Sequence, residues 1–135
     1  MNWIFNDGGR NRYFKGEARD CVVRALAIAT GRDYKLIYDE LHKLTRQSPR
    51  NGVNIKKATV QQYFEGLGLV WTPTMRFGQG CKVHLRSDEL PDGRLICRLS
   101  RHVVAVIDGV VHDTYDSRRG GDRCVYGYWK FNGTN

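Results

Sequence analysis

The chain predicts an α+β fold in which helices come first and an antiparallel sheet follows, and three observations carry that expectation. Val22, Val23, Ala25, Leu26, Ala27, Ile28 and Ala29 form an apolar run with almost no polar face, bounded by Asp20 and by Thr30-Gly31. A helix apolar nearly all round is a buried one. Tyr34, Ile37, Tyr38, Leu41 and Leu44 then recur at helical spacing while Lys35, Asp39, Glu40 and Lys43 fall elsewhere, the pattern of an amphipathic helix on a core. Beyond residue 94 the pattern changes to β-branched runs on either side of Asp108-Gly109, a strong hairpin signal.

Taken in order, residues 1–19 read as irregular, with a turn cluster from Asn6 to Arg10 and with Trp3, Ile4, Phe5, Tyr13 and Phe14 as packing anchors. The first helix follows: Asp20 suits an N-cap and Gly31 a C-terminal stop. A second begins near Asp33, a loop spans Ser48 to Gly52, and a third helix runs from about Asn54 to Glu65, ending at Gly66 and Gly68. Leu69, Val70 and Trp71 form a short strand before Pro73. Residues 73–93 carry little signal beyond a loop at Gly78 to Cys81 and a helical turn at Ser87 to Leu90. Strands are expected at Arg94 to Leu99, His102 to Ile107 and Val110 to Tyr115, with a fourth from Arg123 to Phe131 after the loop Ser117 to Asp122.

A length of 135 residues with 41% hydrophobic side chains fits one domain spanning residues 1–135. The longest apolar stretch falls far short of the roughly 20 residues a membrane span needs. Met1 to Gly16 is polar and aromatic rather than a signal peptide. The expectation is a soluble, cytoplasmic protein with no membrane partner. Four unevenly spaced cysteines, at 21, 81, 97 and 124, are then read as reduced. Cys81, His84, Cys97 and Cys124 are poor zinc ligands as a set, since only Cys81 and His84 have a close spacing, so neither metal nor cofactor is expected. The net charge of +8 is spread from Arg10 to Lys130 with only the doublets Lys56-Lys57 and Arg118-Arg119. It reads as a solvated positive surface, with weak non-specific nucleic-acid binding and an acidic protein as a possible partner.

Two stretches carry chemistry. Cys21 opens the buried helix, whose N-terminus holds roughly half a positive charge and unpaired N–H groups, so a sulfur there is favoured as thiolate, the reactive form. The blander alternative is a small buried hydrophobe. His102 stands at the open end of the hairpin, with Asp113 and Asp116 on the returning strand. With a two-residue loop at Asp108-Gly109, residue 102 lies opposite 115 and Asp113 shares the face of His102; with a three-residue loop and a bulge, Asp116 shares it. Asp113 is preferred. A thiol, an imidazole and a carboxylate are the set a cysteine hydrolase needs.

In that order, a Cys opening a buried helix, a His opening a strand and a carboxylate on the next strand, the chain resembles the papain-like cysteine peptidase superfamily. It is most similar to the C39-like branch: Asp20-Cys21 followed by Ala25, Leu26, Ala27 and a Gly is similar to that branch's DCG-x-A-x-L helix start. His102-Val103-Val104 and Asp113-Thr114 are similar to its H-x-V-V and D-P elements. The likeness spans residues 20–116, and the chain also resembles small proteins of tailed phages. The resemblance implies a papain-like α+β fold with the Cys-bearing helix packed on a C-terminal antiparallel sheet. It further implies hydrolysis of an amide, isopeptide or thioester bond in a protein or peptide substrate, in a host cytoplasm. Cys21 is then the nucleophile, His102 base and then acid, and Asp113 or Asp116 the orienting group. The family's Gln about six residues before the Cys is Lys15 here, the Gly after it is Val22, and the Pro after the Asp is Thr114. Asn6, Asn11 and Lys15 are the nearby candidates for a side-chain oxyanion donor. The competing expectation is a catalytically idle papain-like fold that binds a host protein or nucleic acid through its basic surface.

Overall fold

The structure, a computed structural model, describes residues 1–133. Helices α1 (Cys21–Thr30), α2 (Tyr34–Thr45) and α3 (Ala58–Gly66) cover one face of a six-stranded sheet. Its strands are β1 (Asn2–Phe5), β2 (Leu69–Pro73), β3 (Arg94–Leu99), β4 (His102–Ile107), β5 (Val110–Asp113) and β6 (Gly127–Phe131), in the spatial order β1-β5-β4-β3-β6-β2. Helices preceding the main strands make this α+β, as expected.

The expected antiparallel sheet is corrected to a mixed one. β1 pairs parallel to β5, from Asn2 opposite Val110 to Phe5 opposite Asp113, where the sequence reads as irregular. A short edge strand that leaves Ile4 and Phe5 exposed has no alternation to display, and its partner is remote in the chain. Gly8, at φ 70, then brings the backbone against α1; a Cβ there would stand 3.1 Å from the Arg24 carbonyl oxygen.

α1 forms for the reason its sequence gives away: every residue from Val22 to Thr30 is buried, and Gly31 closes the helix at φ 73, its N–H donating to the Ala27 carbonyl. Each fully buried Val or Leu on it stabilises the fold by about 1.5–3 kcal/mol. Asp20 holds the N-cap position without making a capping bond; its carboxylate is used elsewhere. α2 does start with a side-chain cap, Asp33 accepting from the Leu36 N–H. Ile37, Tyr38 and Leu41 face the core, while Leu44 stays exposed. α3 begins four residues later than expected, because Asn54 Oδ1 takes the Lys56 N–H and holds that segment in a turn.

β3, β4 and β5 form two successive hairpins. Leu99 lies opposite His102 across a Ser100-Arg101 turn, and Ile107 lies opposite Val110 across Asp108-Gly109. Both residues of the second turn have positive φ, 46 and 78, the geometry that matches strand twist in a two-residue loop. On the sheet face away from the helices, Leu95, Cys97, Val104, Val106 and Val111 are covered by Leu85, Leu90 and Val125. The cover is thus irregular backbone, which explains why residues 73–93 carry so little pattern.

The cysteines require a second correction. Cys81 and Cys124 form a disulfide across 43 residues, whereas all four were expected as free thiols. Two backbone bonds, Leu85 N–H to Arg123 carbonyl and Val125 N–H to Val83 carbonyl, each at 2.8 Å, draw the two segments together. Spacing along the chain carries no trace of that contact. Among the described residues no helix is long and apolar enough to cross a membrane.

Candidate active site

The hairpin register decides which carboxylate meets His102. Continuing the β4–β5 pairing places residue 102 opposite 115, so Asp113 shares the face of His102 and Asp116 does not. His102 Nε2 lies 2.7 Å from Asp113 Oδ2. A carboxylate can only accept, so Nε2 carries the proton and Nδ1 is the ring nitrogen that remains; the Cys21 thiol is the other group that acts on the ring. Asp116 is exposed instead, chelated by Arg118 Nε at 2.8 Å and Nη2 at 2.7 Å, and that guanidinium holds its carboxyl down to about 2. His112, on β5, meets Asn6 Nδ2 at 3.1 Å.

α1 packs across β4 and its neighbours β3 and β5, which brings its first residue to the start of β4. Burial pushes the Cys21 thiol up; the His102 hydrogen bond and charge, the Val103 N–H and the Arg24 charge outweigh it and bring the thiol below its ordinary value. For His102, burial works against the charged ring, but Asp113 on one side and the thiol on the other raise it to about 8. Both shifts favour the thiolate–imidazolium pair. Cys21 N–H is among the first N–H groups of α1, which lack intrahelical acceptors.

Asp113 is held by more than His102. Its carboxylate also accepts from Ser117 Oγ at 2.8 Å, from the Thr114 N–H at 2.8 Å and from Arg24 Nη1 at 2.9 Å. Burial raises the Asp113 carboxyl, and these donors, His102 first, bring it below its ordinary value. Arg24 reaches the other way as well, with Nε 3.0 Å from Asp20 Oδ1. Asp20 Oδ2 in turn accepts from Arg10 Nη1 at 3.3 Å and from the Tyr34 hydroxyl at 2.5 Å. Arg10, Asp20, Arg24 and Asp113 are each no more than 7% exposed, and buried charges persist only when paired. They alternate in sign and cancel, so the pair at Cys21 and His102 sits on a neutral, rigid support.

Arg24 is the functional residue that sequence reasoning missed, although a signal existed: it is the one charged residue within α1. A charge on an otherwise apolar, buried helix requires a buried partner. Asp20, read as a cap, is the other half of the same oversight.

Cys21 and His102 both line a cleft of about 780 Å³, within the size range of ligand sites. Tyr115 flanks His102 with ring centroids 5.3 Å apart and forms part of the wall. None of Asn6, Asn11 and Lys15 lines this cleft, whereas Arg19 and Asn54 do. No protein-family model matches the chain, and neither curated proteins nor solved structures show a match to it.

Proposed function

We propose that the chain is a papain-like cysteine hydrolase cleaving an amide, isopeptide or thioester-type bond in a protein or peptide. The observation that supports this reading best is the His102 ring, bonded through Nε2 to a buried carboxylate and lining one cleft with the Cys21 thiol at a helix start. In the reaction the Cys21 thiolate attacks the carbonyl carbon while the Cys21 N–H and the α1 N-terminus stabilise the developing oxyanion. His102, already protonated, gives its proton to the leaving group as the carbon–nitrogen or carbon–sulfur bond breaks. It then takes a proton from water, which attacks the acyl-enzyme and releases the acid and the Cys21 thiolate. Asp113 keeps Nε2 protonated and the ring oriented throughout.

Substoichiometric iodoacetamide at neutral pH, followed by mass mapping, tests the nucleophile. Cys21 is expected to be alkylated first, and a peptide electrophile is expected to label it in a His102-dependent way. A Cys21 no more reactive than an ordinary thiol would favour the idle, basic binding protein instead.

A further inference from the structure

The chain as a whole carries 22 Lys and Arg against 14 Asp and Glu, so acidic side chains are plentiful. Yet the cleft beside Cys21 is lined by Arg19, Arg24, Lys56, Arg98 and Arg101 and by no Asp or Glu. Arg24 is spoken for by Asp20 and Asp113. The other four have no ion-pair partner among the described residues. Two come from the β3–β4 hairpin that carries His102. The other two come from the opposite segments: Arg19 just before α1, and Lys56 in the loop tied to it where Arg19 bridges Asn51.

Arg101 adds a second observation. It occupies the β3–β4 turn at φ 57, a conformation that glycine or asparagine adopts far more readily. Arg46 and Arg119 share that region of φ; what sets Arg101 apart is that it carries the strain in a turn that lines the cleft beside Cys21. A residue that costs the turn and sits in a site is one to explain by what the site binds.

We propose that the cleft takes an acidic peptide, with Asp or Glu side chains on either side of the scissile bond engaged by Arg98 and Arg101 from the hairpin and by Arg19 and Lys56 from the facing segment. This rests on the hydrolase reading for the bond that is cut, but the charge pattern stands without it. Convergent cations beside a partly enclosed cleft concentrate an anionic ligand more than the same charges scattered on a surface. A peptide is favoured over a nucleic acid because the four cationic residues line the same cleft as a thiol, which attacks acyl carbon and not a phosphodiester.

The test uses three peptide electrophiles of one backbone, flanked by Glu, Gln or Lys, and measures the rate of covalent labelling of Cys21. The Glu probe is expected to react at least about tenfold faster than the Gln probe at low salt, with the advantage shrinking as the screening length drops below about 10 Å above 0.1 M. In Arg98→Gln/Arg101→Asn the Glu-to-Gln ratio should fall toward one, while Arg101→Lys retains most of it. Melting temperature checks the fold, and Arg101→Asn is expected to hold or raise it because asparagine suits the turn. Fluorescence anisotropy with Cys21→Ala supplies a readout free of the chemistry: the labelled Glu peptide should bind more tightly than the Gln peptide and than a single-stranded oligonucleotide. Equal Glu and Gln rates, or tighter binding of the oligonucleotide, overturn the proposal. Failure of the hydrolase reading looks different: Cys21 then reacts slowly with every electrophile, while Cys21→Ala still selects the Glu peptide.

Discussion

Cys21 and Cys97 are the two free thiols, the first half-buried at the cleft and the second fully buried, and the protein treats them in opposite ways. Cys97 lies in the middle of β3, between β4 and β6, among apolar side chains, and burial alone pushes its thiol far up. Cys21 also meets a burial penalty, but His102, the Val103 N–H and the Arg24 charge favour its thiolate and reverse the outcome. Burial therefore does not decide whether a cysteine is inert. The donors aimed at the sulfur decide it.

Removing those donors should erase the contrast. His102→Ala leaves only the Val103 N–H and the Arg24 charge to oppose the desolvation of Cys21, so its alkylation at neutral pH should fall to or below that of Cys97 exposed by denaturation. Hydrolysis, read with the best peptide substrate, should fall by about 10²–10⁴-fold, the usual contribution of a positioned acid–base group. Retention of fast alkylation would assign the activation to the helix terminus instead.

The support beneath Cys21 should prove as sensitive as the site itself. Arg24→Met takes a buried cation from between Asp20 and Asp113, leaving the first to Arg10 and Tyr34 and the second to His102 and Ser117; breaking a buried pair costs about 3–5 kcal/mol, and chemical denaturation measures it. Cys97→Ala, which leaves no charge unpaired, should lose less, and its loss is a matter of packing alone.

The two thiols should also differ in pH response. Activity should rise as Cys21 ionises, beginning below the ordinary thiol value of 9.0, and fall as His102 loses its proton near 8. Above that alkaline limb the rate should drop about tenfold per pH unit, the two groups titrating as a pair. Asp113→Asn removes the carboxylate that raises His102, so the alkaline limb should move down toward 6.5. A limb that stays near 8 would remove Asp113 from its orienting role.

The smallest effect is expected at the second carboxylate. Asp116→Asn touches only the exposed Arg118 pair, and solvent screens an exposed pair so that it contributes little. Neither the Cys21 alkylation rate nor the denaturation midpoint should move measurably; a large loss of activity would return Asp116 to the site.

Much of this could be read from the chain because it depends on neighbours. The extent of β3 and β4, the end of α1 at Gly31 and a turn at Asp108-Gly109 follow from periodicity and turn chemistry, which act over a few residues, whereas the choice between a two-residue and a three-residue turn needed the register. Once the register is known, the proximity of His102 and Asp113 follows by counting. Asp20 and Arg24 show where local reasoning fails. An aspartate before a helix is a good cap, and an arginine in an apolar run is easily passed over. Neither reading anticipates that Arg10, Tyr34 and Asp113 converge on them from three other parts of the chain.

By itself, then, the sequence determined three helices, the last with its start misplaced, the hairpin at Asp108-Gly109 and the alignment of an imidazole with one of two carboxylates. Only the tertiary structure decided that β1 joins β5 in parallel, that Cys81 meets Cys124, and that α1 crosses the start of β4 so that a thiol 81 residues away in the chain faces His102. The reason is the range of the forces involved. Turn and helix preferences are properties of adjacent residues, whereas the alternating charges from Arg10 to Asp113 become favourable only after the core has excluded water from all of them at once.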